Sequence, residues 1–197
     1  MSAKILRLLH KCPDTWIALG LFAFTLVLRI PFRSQVLHHW DSVNFALALD
    51  HFDLRLHQPH PPGTFVIYIM MGRLLNAFLH DSNASLVWLS VVLSGLGTAA
   101  LFLLSEEWFG RKVGLTTALL TIVSPLVWFH GEVALSYMLE FFWVPLIVYF
   151  CYKMQTKSWW ALLASALLIG MAGAFAPTRQ CFCFLCGLWG SLSTNIP

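Results

Sequence analysis

Apolar stretches long enough to cross a lipid bilayer recur along this chain at 15–32, 84–105, 113–129, 134–152 and 159–176, each close to the roughly 20 residues a helix needs to span the hydrocarbon. Of 197 residues, 58% are hydrophobic and only 11% charged, far from the values of soluble domains. The chain reads as an all-α integral membrane protein, a multi-span helical bundle of about five to six spans. A last apolar piece, 182–192, is short. Lys4, Arg7 and Lys11 before the first run imitate a secretory signal. The following Arg29-Ile30-Pro31-Phe32-Arg33 lacks a small-x-small cleavage pattern, so the first span is read as uncleaved. The net charge of +3 is explained by orientation signals, so nucleic acid is not an expected partner. The five cysteines form no disulfide or zinc framework.

Topology turns on residues 63–79, GTFVIYIMMGRLLNAFL, an apolar helix only about 25 Å long that carries Arg73. If it spans, Arg111/Lys112 and Lys153/Lys157 fall on the side opposite Lys4, Arg7 and Lys11, against the positive-inside rule. If it does not, all of these charges are cytoplasmic. Thr64, Tyr68, Gly72 and Asn76 also form a small or polar stripe along one face, as in a helix lying along the membrane or tucked against a bundle. Residues 33–83 are therefore placed outside, as a long first external loop with two juxtamembrane helices, roughly 41–52 and 62–79. Pro61 and Pro62 suit the first turn of the second. The N-terminus is then cytoplasmic in a multi-pass protein of the inner or plasma membrane.

That loop gathers His38, His39, Asp41, Asp50, His51, Asp53, Arg55, His57 and His60. Asp41 precedes SVNFALAL and reads either as a helix N-cap or as a general base at the membrane surface, roles that can coexist. His60 is singled out because the Pro61-Pro62-Gly63 turn fixes its imidazole. Arg55 and Arg33 suit a lipid phosphate, with ordinary headgroup contact favoured for Arg33. The histidine spacing fits no standard metal motif. Glu132, in the second external turn His130-Gly131-Glu132, shares the outer face with Asp41. Glu140 lies two turns deeper and reads as a functional acid or as a group paired within the bundle, with Pro145 bending the helix near it. Asn83-Ala84-Ser85 is a sequon by pattern only.

The order of these features resembles the GT-C-fold glycosyltransferases. It comprises a first span, Trp40-Asp41-Ser42-Val43-Asn44-Phe45 early in an external loop, and His60-Pro61-Pro62-Gly63 opening a juxtamembrane helix. Spans joined by Trp108-Phe109-Gly110-Arg111-Lys112 and ending in Ser124-Pro125-Leu126 follow. Most similar are bacterial members akin to protein O-mannosyltransferases and to lipopolysaccharide sugar transferases, over roughly 15–176. The resemblance implies inverting transfer of a sugar from a polyprenyl-phosphate donor to an acceptor at the extracytoplasmic face. By position, Asp41 matches the catalytic aspartate of the first loop, Glu132 the acid of the second loop, and His60 the donor side. Relatives often carry an aspartate where this chain reads Ser136-Tyr137.

A phosphate leaves well unaided, unlike the alkoxide of glycoside hydrolysis. One carboxylate base for the acceptor hydroxyl, with positive charge near the phosphate, therefore suffices. Asp41 supplies the first; Arg55, His60 or a divalent cation supplies the second. No cofactor is otherwise expected, and a cation at Asp41 and Glu132 stays open. The expected division is 1–176 as the N-terminal part of the transferase domain and 177–197, which is cysteine-rich, as a divergent tail from a truncated or frameshifted reading frame. The alternative reading is a non-enzymatic membrane protein, a transporter fragment or a scaffold for lipid-linked substrates. A transporter places its polar groups near the midplane of its spans, whereas here they concentrate in an external loop.

Overall fold

The computed structural model of the protein describes residues 13–59, 65–154 and 159–172. Every regular element among them is helical: α1 (Asp14–Arg29), α2 (Trp40–Asp50), α3 (Val66–Leu79), α4 (Ser82–Phe109), α5 (Arg111–Val123), α6 (Pro125–His130), α7 (Tyr137–Met154) and α8 (Trp159–Ala172). Short 3₁₀ turns lie at Ile30–Phe32 and Leu54–Leu56. Two helices are long and apolar enough to cross a membrane, Asp14–Phe32 and Ser82–Phe109. The all-helical membrane architecture therefore stands, while the expected number of crossings rests on the sequence.

The predicted span 113–129 is divided in two. Pro125 has no N–H to return to the preceding turn, and its ring drives the residue before it out of the helical region. Ser124 accordingly turns extended, at φ −61° and ψ 123°. α5 stops at Val123, and Pro125 begins α6 at a position where its missing N–H is no loss. Pro145, by contrast, is accommodated inside α7, where it is buried.

α4 is the central helix, and α1, α3, α5 and α7 all pack on it. Phe22 and Leu26 of α1 close over Gly95, and Phe141 of α7 closes over Gly97. Small residues permit such approach where lipid gives helices no hydrophobic reason to associate. Arg111 meets Asp14 at 2.7 Å, and Lys153 meets Glu107 at 2.6 Å. The start of α1, the α4–α5 junction and the end of α7 thus share one end of the bundle. The chain between α1 and α4 begins and ends at the opposite end, where Asn83 bonds Ser34.

There α3 packs with its expected stripe inward. Tyr68 and Gly72 are buried, whereas Met70, Leu74 and Phe78 on the other face are exposed. A Cβ at Gly72 would stand 2.8 Å from a Leu49 methyl and 2.9 Å from a Leu86 methyl, so α3 meets α2 and α4 together at this glycine, and a larger residue would require those leucines to move. Arg73, an obstacle to a spanning helix, has a different task. Its Nε donates to the Leu49 carbonyl at 2.8 Å and its Nη2 to that of Ala48 at 3.1 Å. These are among the last carbonyls of α2, which have no partner within their own helix. The first turn expected of α3, with Pro61 and Pro62, lies outside the described residues, as does the predicted tail 177–197.

Candidate active site

The start of α2 differs from the expectation in one respect: the N-cap is His39, not Asp41. His39 is extended, at φ −129° and ψ 153°, and its Nδ1 accepts the Asp41 backbone N–H at 3.2 Å. The imidazole reaches a free N–H of the first turn from the cap position, as a cap oxygen does elsewhere. Asp41 instead occupies the first turn itself, where the helix dipole favours a negative charge. Its Oδ2 stands 3.5 Å from His39 Nδ1, and its side chain is 21% exposed. The carboxylate is held at the helix start, close to the surface, without serving as the cap.

The turn His130-Gly131-Glu132 follows α6 and is fastened to the first loop. The Ser34 N–H donates to the Glu132 carbonyl at 2.8 Å. His38 packs edge-on against Phe129, with ring centroids 6.0 Å apart, and Phe32 packs likewise against Trp128 at 5.7 Å. Asn83 Nδ2 donates to the Ser34 carbonyl at 3.3 Å, tying in the start of α4. The sequon asparagine is therefore engaged in the fold. The structure thus brings together the loop that leads into Asp41 and the turn that carries Glu132.

One oxygen of the Glu132 carboxyl, Oε1, is buried without a hydrogen-bond partner among the described residues. Burial raises the carboxyl above the ordinary range, while the Arg29 charge and the Trp128 side chain act in the opposite sense. Arg29 closes α1 and is fully buried. Its Nη2 donates to the Ile122 carbonyl at 2.9 Å, and its guanidinium lies 4.2 Å from the centroid of the Trp128 ring. A Cβ at Gly131 would come within 3.0 Å of the Val127 carbonyl, 3.2 Å of Ser94 and 3.3 Å of Arg29 Nε, so the turn passes close over the guanidinium and a larger residue would require its neighbours to shift. His130 stacks obliquely on Tyr137 at 4.5 Å, and burial lowers its pKa.

The remaining predicted residues are less tightly grouped. Arg55 is exposed on the 3₁₀ turn Leu54–Leu56, where its backbone N–H is taken by Asp53 Oδ1 at 2.8 Å. Asp53 thereby caps that turn, which its backbone bonds to Gln58 close. Arg33 is half-buried and held by the protein: Nη1 donates to the Ile30 carbonyl at 2.8 Å, and the guanidinium lies 5.4 Å from the Trp88 ring. Glu140 is half-buried in the first turn of α7. His60 lies outside the described residues. Among those described, no three His, Cys, Asp or Glu side chains converge as a metal site. Asp41 and Glu132 belong to no such group, and no step is derived through a cation.

Arg29, Trp128 and His39 were not predicted as site residues. A signal for the first existed, an arginine at the end of a spanning run, since a charge at that depth needs a partner. The chain matches the family model described as dolichyl-phosphate-mannose-protein mannosyltransferase over residues 59–186, most of the transferase region expected from the resemblance. Comparison with curated proteins and with solved structures yields no match. Since the family model spans more than half of the chain, the protein belongs to the dolichyl-phosphate-mannose-protein mannosyltransferase family, membrane glycosyltransferases that draw on a polyprenyl-phosphate-linked sugar donor.

Proposed function

We propose that the protein transfers a sugar, with inversion, from a polyprenyl-phosphate donor to an acceptor hydroxyl at the extracytoplasmic face of the membrane. Asp41 is the base. Held in the first turn of α2 and close to the surface, its carboxylate takes the acceptor proton as the oxygen attacks the anomeric carbon, and the lipid phosphate departs. Glu132 is the second acid, fixing the acceptor side from the neighbouring turn. Arg55 and His60 supply positive charge on the donor side, where the leaving phosphate gathers negative charge. In this reading residues 1–176 form the N-terminal part of the transferase domain.

The observation that carries the reading is the 2.8 Å bond from Ser34 N–H to the Glu132 carbonyl. It joins the segment entering Asp41 to the turn bearing Glu132, so two acids far apart in sequence belong to one rim. Ionisable groups gather in this loop rather than at the middle of α4, whose buried polar residues are the uncharged Ser90, Ser94 and Thr98, which suits chemistry on a lipid-anchored substrate better than translocation. The test is release of mannose from polyprenyl-phosphate mannose by membranes containing the full chain, with Asp41→Asn alongside. Loss of a proton acceptor should lower the rate by about 10²- to 10⁴-fold. An undiminished rate in Asp41→Asn would remove Asp41 as the base.

A further inference from the structure

Residues three, four and seven places on from Asp41 each fall within about 60° of it around the helix. In α2 these are Asn44, Phe45 and Ala48. All three are buried, whereas Val43 and Leu47 on the other side are exposed. Phe45 packs edge-on against Tyr68 of α3, with ring centroids 5.2 Å apart. Asp41 therefore heads the face that α2 turns toward the bundle.

Asn44 is the one other polar residue on that face. It is only 6% exposed, and its Nδ2 has no hydrogen-bond partner among the described residues. An amide N–H withdrawn from water and left unpaired is costly, and native proteins keep few of them without a use. Ser42, fully buried and likewise unpartnered, lies about 160° round the helix from Asn44 and so cannot share a ligand with it. Side chains three apart on a helix start from Cβ atoms about 5–6 Å apart. A substrate held against the Asp41 carboxylate is thus within reach of the Asn44 amide.

We propose that Asn44 contacts the transferred sugar: its Nδ2–H donates to a sugar hydroxyl oxygen while Asp41 takes the proton of the acceptor hydroxyl. A carboxamide suits that task beside a base. It offers an N–H to an oxygen and carries no charge, so it neither competes for the acceptor proton nor draws the leaving phosphate toward the wrong end of the sugar. The inference rests on the reading of Asp41 as the base of a sugar transfer; the burial and the unpaired amide do not.

The test separates a ligand contact from a structural one. Asn44→Leu replaces the amide with an apolar group of similar size. A structural amide would lose stability on replacement, but an unpaired one should leave the melting temperature of the detergent-solubilised full chain unchanged or higher. The same variant should show at least about tenfold lower kcat/KM for mannose release from polyprenyl-phosphate mannose. Donors lacking one sugar hydroxyl at a time locate the contact. Wild type should lose about tenfold on one of them, and Asn44→Leu should lose nothing further on that donor. A lowered melting temperature, or losses that simply add on every deoxy donor, would overturn the proposal. Should leucine not fit the site, Asn44→Ala with the same donors decides. An undiminished rate in Asp41→Asn would count against the proposed function alone, whereas a wild-type chain that neither binds nor turns over polyprenyl-phosphate mannose would overturn both.

Discussion

The Ser34 N–H and the Glu132 carbonyl meet at 2.8 Å, joining the irregular segment that leaves α1 to the turn that follows α6. Because the donor is a backbone N–H, a proline removes the bond without altering charge nearby, and an alanine controls for the hydroxyl that bonds Val36. Ser34→Pro removes the donor and should lower mannose release about tenfold by loosening the rim. Ser34→Ala keeps the donor and should remain within about twofold of wild type. Equal rates in the two variants would show that the bond does not set the geometry.

The imidazole at the start of α2 makes a separate prediction. His39→Ala removes the acceptor for the Asp41 N–H and should cost about 1 kcal/mol of stability in thermal unfolding of the detergent-solubilised protein. His39→Asn restores a capping side chain and should recover most of it. If Asp41 were the cap, His39→Ala would be neutral.

At the other end of α2, Arg73 closes the carbonyls of Ala48 and Leu49 from a neighbouring helix. Arg73→Met retains the aliphatic stem but loses both bonds, and should destabilise the protein by about 2 kcal/mol. Protection of the α2 amides in hydrogen exchange should fall more than that of α4. Arg73→Lys should be intermediate, since an ammonium cannot present the same fork.

The pH response of stability carries the signature of His130. Burial lowers its folded-state pKa from the ordinary value of 6.5, so folding favours the neutral imidazole. The corresponding stability is present above pH 6.5 and is lost as pH falls through the folded pKa, because the unfolded chain takes up the proton first. Glu132 acts in the opposite sense. Its raised folded pKa gives stability that is full below the ordinary carboxyl range and is lost as pH rises through the folded value. His130→Phe should therefore flatten the fall in melting temperature between neutral and mildly acidic pH, as measured in parallel scans. An unchanged slope would assign the acid response to other groups.

Much of this architecture is written locally. The lengths of the apolar runs specify helices that suit a bilayer, and the placement of Lys and Arg predicts that 63–79 does not cross. The spacing of Tyr68, Gly72 and Asn76 marks the face on which α3 packs, because residues four apart share one side of a helix. Pro125 carried the break between α5 and α6 in plain sight, though its apolar surroundings outweighed it in the reading of 113–129. Asp41 was legible as the residue that opens α2, but its exact place was not. Histidine and aspartate both offer an acceptor at a helix start, and only the backbone angles of His39 distinguish them.

The sequence by itself determined the helices, their apolar faces and the end of the bundle at which the polar groups gather, since each depends on periodicity or composition within a few turns. Only the tertiary structure decided what those polar groups do to one another. Arg29 and Trp128 are far apart along the chain, and no local pattern couples them. Their association requires α1 and α5 to pack side by side, Pro125 to turn the chain, and Gly131 to leave room for a guanidinium. A buried charge must find its compensation wherever the packing supplies it, and that choice is made in three dimensions.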